Sequence, residues 1–475
     1  MNLAAIVPEL IVAGLCLVLV PLAGFTRRRL RWLPAWLCGT GLVVAFVMTA
    51  RMLPWAPTSA FDGIYAVDGF AHIFKLLILL AALLVLVALA SYLRGHALLP
   101  HAPAALLFST LGALALASSV DLLLVVLFLQ MMSMATYVLA ALVRTSRLAL
   151  EAGLKIFIYA AAALAMASYG FTFFYGLTGT LHLDELGAAL AGIESPWLAF
   201  AFVLVLIGYG FEITLVPFHV WAPDVYDGAT APVSGFLSVA PKIAGFAALL
   251  RLLLHALPAE ATAWPLVLAG GAALTMTLGN LTALRQQGLK RLLAYSSIGH
   301  AGFVLMAVAV AARTNAALPA IAYHLAAYLL MNLGAFLAVA AIGRGTGNDA
   351  IVAVRGLGRV RPGVAVAFGL CLLSLAGIPP LAGFVGKVLL LEATIDGGFT
   401  WLAVLAAANM VIALWYYVRV IAEMFLFDSC AGALPDDGIG MRIALSACVI
   451  GTVLLGVWPG PFLASLAEVA ERLAK

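Results

Sequence analysis

Apolar residues fall in long unbroken runs, and each run is about the length that crosses a bilayer. They lie near 4–24, 32–52, 69–92, 103–119, 121–143, 153–176, 197–220, 229–254, 263–284, 290–311, 318–342, 363–393, 400–426 and 440–465. Roughly 20 residues of helix cover a hydrocarbon core of about 30 Å. No run shows the period-2 alternation of a barrel strand, and lipid admits only helices or closed barrels, so no strands are expected. The pattern predicts an all-α polytopic membrane protein of about 14 spans.

Composition narrows the class. The chain is 475 residues long, 65% hydrophobic and 10% charged, with mean hydropathy +1.14. A soluble protein of this size could not cover its core with so few charges. No basic cluster is interleaved with aromatics, so no nucleic-acid partner is expected. The opening "MNLAAIVPELIVAGLCLVLVPLAGFTRRRLR" places its basic run after the apolar stretch, the reverse of a secretory signal, and reads as a retained first span. Cys16, Cys38, Cys371, Cys430 and Cys448 are scattered without CxxC spacing and read as small core or lipid-facing residues. The tail "SLAEVAERLAK" reads as an amphipathic surface helix.

The positive charges orient the spans. Alternate connections hold Arg27, Arg28, Arg29 and Arg31; Arg94; Arg144 and Arg147; Arg285, Lys290 and Arg291; and Arg344, Arg355, Arg359 and Arg361. The intervening loops are mainly acidic, as at Asp62, Asp184, Glu185 and Glu194. The positive-inside rule puts the first set in the cytoplasm and both termini on the non-cytoplasmic side.

Two runs are interrupted, one by Pro217 in "LVPFH" and one by Pro379 and Pro380 in "AGIPPLAGFVGK". Proline removes a helix hydrogen bond, and open backbone at membrane depth requires protein or a wet cavity around it. Broken helices about five spans apart, each followed by a lysine, predict two inverted repeats of about five helices with an ion site in each. The alternative is a pair of simple proline kinks. The repeat reading divides the chain into N-terminal helices (1–102), a first repeat (103–255), a second repeat (256–426) and a final helix with its tail (427–475).

Four of the six lysines, Lys75, Lys155, Lys242 and Lys387, fall inside apolar runs. At roughly 2.5–3.5 kcal/mol each at a helix centre, their insertion costs on the order of 10 kcal/mol. Lys75 and Lys155 lie nearer span ends, where snorkelling relieves the cost. Lys242 and Lys387 have no such escape and are expected to face an internal hydrated path. His219, His300 and His324, in or at the ends of spans, are relay candidates between them; each alone also fits a packing role. Asp224 and Asp227 in "APDVYDG" lack a third metal ligand nearby and read as turn or capping residues. No phosphate loop, dinucleotide fingerprint or haem ligand pair stands out.

The segments "VPFHVWAPDVYDGATAPVSGFLSVAPKIAGF", "LTALRQQGLKRLLAYSSIGHAGF", "YLLMNLGAF" and "LSLAGIPPLAGFVGK" resemble the antiporter-like membrane subunits of respiratory NADH:quinone oxidoreductase (complex I). The likeness extends over essentially the whole chain. It implies 14 helices with inverted repeats in the bacterial inner membrane, other membrane-arm subunits as partners, and proton transfer through Lys155, Lys242, Lys387 and His219. It also implies that NADH, FMN, iron–sulfur clusters and quinone are handled by other subunits, with no cofactor bound here. Cation/proton antiporter subunits and hydrogenase membrane arms use similar helices; the "PDVY" form favours complex I. Two positions depart from the family pattern. Gln130 stands where the fifth span usually has glutamate, and Glu212 where the seventh usually has lysine. Either Glu212 supplies a relocated negative charge to Lys155 or Lys242, or this half is a pumping-inactive scaffold.

Overall fold

The computed structural model describes residues 3–25, 30–191, 193, 195–257, 263–346, 349–428 and 438–473, the side chains of 3–4, 344–346 and 472–473 excepted. Arg27, Arg28, Arg29, Glu194, Cys430 and the side chain of Arg344 therefore lie outside the described residues.

The chain is helical almost throughout. α1 (Val7–Phe25) and α2 (Leu33–Met52) form an antiparallel pair, and a hairpin of β1 (Thr58–Ala60) and β2 (Tyr65–Val67) leads into α3 (Gly69–Tyr92). This hairpin departs from the expectation of no strands. It lies in the connection between α2 and α3. Next come α4 (Ala102–Ser118), α5 (Leu122–Ala140), α6 (Arg147–Thr178), the short α7 (Leu183–Leu190) and α8 (Pro196–Glu212). α9 (Trp221–Gly228) and α10 (Ala231–Arg251) follow the first break. Beyond them run α11 (Trp264–Ala283), α12 (Leu289–Val308), α13 (Ala317–Thr346) and the short α14 (Leu357–Val360). α15 (Pro362–Ala376) and α16 (Ala382–Asp396) flank the second break, and α17 (Thr400–Phe425), α18 (Ile439–Val457) and α19 (Gly460–Leu473) complete the chain. Among the described residues, 11 helices are long and apolar enough to cross a membrane; α4, α8 and α15 are shorter apolar helices.

Hydropathy does not sort inner from outer helices. α12 is among the least apolar of the long helices yet almost wholly buried, as are α10 and α13, while α1, α6 and α18 keep a broad face outward. Lipid is as apolar as leucine, so polar contacts and close packing decide which helices go inside. The α11–α12 seam shows the packing: a Cβ on Gly302 would lie 2.5 Å from the Met276 nitrogen. Cys16, Cys38, Cys371 and Cys448 are buried free thiols. The tail helix does more than lie on a surface, because Leu466 and Val469 of α19 are buried against Ile73 of α3 and Tyr323 of α13.

Both proline segments break their helices. α8 stops at Glu212, Thr214 takes a left-handed conformation (φ +59°), and helix resumes only at Trp221. α15 stops at Ala376, Gly377 (φ +90°) turns the chain, and α16 resumes at Ala382. Cis peptide bonds precede Pro217 and Pro380.

Candidate functional site

The second break assembles a charged site from backbone upward. A helix end leaves its last carbonyls without intrahelical donors. At the end of α15 the Gly377 and Ile378 amides both donate to the Leu373 carbonyl at 3.1 Å. Lys387, one turn into α16, donates to the Leu375 and Ala376 carbonyls at 2.8 and 3.0 Å. Its ammonium also lies 5.1 Å from the centre of the Phe303 ring, a cation–π distance. The residue is 1% exposed.

From Lys387 a series of polar groups runs inward across α13, α12 and α10. His324 packs against Gly386, where a Cβ would approach its Nδ1 to 2.8 Å; glycine is what lets the ring sit there. His324 Nε2 stands 3.4 Å from His300 Nδ1, with the rings 5.5 Å apart and nearly parallel. The His300 ring is 5.3 Å from that of Tyr328. Tyr328 donates to Ser297 Oγ at 2.7 Å, and Lys242 donates to the same Oγ at 2.5 Å and to the Ser297 carbonyl at 3.0 Å. Lys242, Ser297, His300 and Tyr328 share a small cavity. All six side chains are buried. Hydroxyl, imidazole and ammonium groups in contact, with water in the gaps, can pass a proton by successive short transfers.

The first break is built differently. Glu212, the last residue of α8, is 7% exposed and packs on α10, where a Cβ on Gly245 would meet its Cγ at 3.0 Å. It shares a small cavity with Gln130, Ser133 and Tyr137. Ser133 lies within hydrogen-bonding reach of its carboxylate, and Lys242 acts on it electrostatically. Gln130 and Glu212 thus face one space. His219 lies in the break itself, half-buried, its Nδ1 without a protein partner.

Lys155 stands apart from this series. Its ammonium pairs with Asp224 and Glu151, both at 2.6 Å, and the side chain is 36% exposed. Arg291 pairs with Asp224 and Asp227 at 2.9 Å each. Asp224 and Asp227 are therefore ion-pair partners, beyond the turn or capping role read from their motif. Snorkelling fits Lys155 but not Lys75. Lys75 is 1% exposed and pairs with Glu9 of α1 at 2.6 Å, because α1 supplies a carboxylate at its depth.

Ser297, Tyr328 and Phe303 complete the series without having been marked by the sequence. Serines, tyrosines and phenylalanines are common in apolar helices; the available signal was the "AYSSIGH" spacing, which sets Ser297 and His300 three apart on one helix face.

With this geometry in view, known proteins place the chain. Residues 119–413 match the family model described as NADH:quinone oxidoreductase/Mrp antiporter, TM. NADH-quinone oxidoreductase subunit N of an Anaeromyxobacter species is 40% identical over 459 residues, covering 89% of this chain and 88% of the relative. A chain of respiratory complex I from Thermus thermophilus is 35% identical and superimposes with TM-score 0.83, over 97% of this chain and 99% of that one. A chain of the Mrp complex from a Dietzia species shares the fold, with TM-score 0.87 over 100% of this chain and 98% of that one at 22% identity. The chain belongs to the NADH:quinone oxidoreductase/Mrp antiporter transmembrane family and, within it, to the NADH-quinone oxidoreductase subunit N group.

Proposed function

We propose that the chain is a proton-translocating membrane-arm subunit of an NADH:quinone oxidoreductase. The observation that carries this reading is the buried series Lys242, Ser297, Tyr328, His300, His324 and Lys387. Buried ionisable groups in a membrane mark ion pathways by default, because their insertion is costly. Other membrane-arm subunits and lipid surround the chain. NADH, FMN, iron–sulfur clusters and quinone belong to other subunits, and this chain holds no redox group.

Eleven long helices and three shorter ones support 14 spans. Two inverted repeats, 103–255 and 256–426, each with a broken helix, lie between the N-terminal helices (1–102) and the final helix with its tail (427–475). Both termini lie on the non-cytoplasmic side of the bacterial inner membrane, an orientation resting on the arginine asymmetry. Cysteine labelling of the two termini on a cysteine-free background tests it, and cytoplasmic labelling of both would reverse it.

In the first half the negative charge has moved to Glu212. The cavity shared with Gln130 and the electrostatic reach of Lys242 support this; Lys155 is already held by Asp224 and Glu151. The decisive experiment is Lys242→Met and Lys387→Met in the assembled complex in inverted vesicles. Proton uptake per NADH oxidised is expected to fall in both at normal assembly. Full uptake in both variants would overturn a carrier role.

A further inference from the structure

A second group of buried charges lies outside the Lys242–Lys387 series, where α1, the hairpin, α3 and α10 meet. Lys75 of α3 pairs with Glu9 Oε1 of α1 at 2.6 Å, and Tyr65 of β2 donates to the same oxygen at 2.9 Å. Asp68, which caps α3 by accepting from the Ala71 amide at 2.7 Å, receives both Arg251 bonds at 2.8 and 2.9 Å. Arg251 ends α10, donates through Nε to the Ala117 carbonyl at 2.8 Å, and covers the Phe70 ring at 4.6 Å. His72 sits among them, 2% exposed, and Glu9, Asp68, Lys75 and Arg251 all act on it electrostatically.

These groups are incompletely satisfied. Both ring nitrogens of His72 and Glu9 Oε2 are buried with no protein partner. A buried polar atom left without any partner is destabilising, so three such atoms in one cluster call for bridging water. A buried ion pair is itself weak evidence for stability, since apolar residues of the same volume serve as well or better. Packing alone therefore does not account for Glu9, His72 and Lys75 together.

Glu9 and Asp68 offset Lys75 and Arg251, so the cluster is neutral when His72 is neutral. One proton arriving on a His72 nitrogen through water raises the net charge to plus one, and its departure restores neutrality with no bond between heavy atoms changed. On the other elements packed around α3, Tyr323 of α13 directs its hydroxyl to the Leu455 carbonyl at 2.6 Å, and Arg51 of α2, Arg442 of α18 and Glu468 of α19 are exposed. Along α10 the cluster lies between the helix end and Lys242. Beyond Arg251 the helix widens into one π-type turn, Leu252–Ala256, and His255 in that turn reaches exposed Asp184 at 2.6 Å. Nine residues before Arg251 on the same helix is Lys242, about 13 Å away at the helical rise.

We infer that Glu9, His72 and Lys75, with the Asp68–Arg251 pair, form a water-linked proton-holding site that serves the hairpin end of the bundle. This inference rests on the pumping role proposed above. It is tested in inverted vesicles by measuring protons moved per NADH oxidised for His72→Phe and His72→Gln, with assembly checked on native gels and Lys242→Met in parallel. Glutamine still offers two polar atoms to water but cannot hold the proton, so it rescues a structural role and not a proton-holding one. The expected result is that His72→Gln assembles normally and loses as large a share of the proton ratio as His72→Phe and Lys242→Met. A normal ratio in His72→Gln, or failure of His72→Gln to assemble, overturns the inference. A normal ratio in Lys242→Met would instead overturn the pumping role itself.

Discussion

The two broken helices interrupt their spans in the same way, yet they place opposite charges. Five residues before Pro217 stands Glu212 and seven after it Asp224; at the same offsets from Pro380 stand Leu375 and Lys387. At the second break a lysine closes the open helix end, donating to the Leu375 and Ala376 carbonyls. At the first break neutral donors do this work: the Leu215 amide reaches the Gly210 carbonyl at 2.7 Å, and the Trp221 indole reaches the Phe211 carbonyl at 3.2 Å. Lys387 therefore belongs to the architecture of its break as well as to the buried polar series. Glu212 is not needed to close its break; as a carboxylate at a helix C-terminus it faces the negative end of the helix dipole. A break that does not depend on its charged residue leaves that residue free to exchange during evolution.

The largest expected difference is between Lys387→Met and Lys242→Met. Both are expected to lower proton uptake per NADH, but only Lys387→Met removes a donor from two helix-end carbonyls. His300 stays within hydrogen-bonding reach of the Leu375 carbonyl, so the loss falls on the Ala376 carbonyl, at about 1–3 kcal/mol. A thermal melt of the purified complex is expected to show the lower midpoint for Lys387→Met. Equal midpoints would mean that the break is closed without its lysine.

Glu212 gives the next largest effect. Glu212→Gln is expected to reduce pumping more than Gln130→Ala, because it removes the carboxylate that acts on Lys242. Gln130→Glu with Glu212→Lys is expected to recover more pumping than Glu212→Lys alone, which crowds two ammonium groups along α10 without a counter-charge. Unimpaired uptake in Glu212→Gln would mean that the carboxylate was not relocated and that this half works differently or not at all.

The smallest effect is expected at Lys155. After Lys155→Met, Asp224 keeps Arg291 as its partner, so proton uptake is expected to fall less than in Lys242→Met. A loss as large as that of Lys242→Met would bring Lys155 back onto the path.

Much of this was legible because charge is rare in the chain. Lys242, Lys387, His300 and His324 stand out against apolar neighbours, and all four do meet in one buried series. Gln130 and Glu212 were readable as a pair only through the family pattern, and they do share a cavity. Lys75 misled for a physical reason. Its place near a span end suggested snorkelling, but the carboxylate that buries it lies 66 residues upstream, on α1. The Leu375 and Ala376 carbonyls that hold Lys387 could not be read at all, since every residue has a carbonyl and only an open helix end makes one available.

The amino-acid sequence by itself determined that the chain lives in a membrane, where its helices run and where two of them break. Those outcomes are local: lipid offers the backbone no hydrogen bonds, so an apolar run must become helix, and a proline removes one of its bonds. The runs at Pro217 and Pro379–Pro380 break, while α1 and α10 continue through Pro21 and Pro241. Only the tertiary structure decided which charge meets which partner. Lys155 went to Asp224 and not to Glu212, Lys75 to Glu9, and Arg251 to Asp68. Each of these pairs joins helices far apart in the chain. Hydropathy says that a helix is in the membrane but not which face turns inward, and in lipid that face is chosen by close packing and by the few polar groups that must find one another.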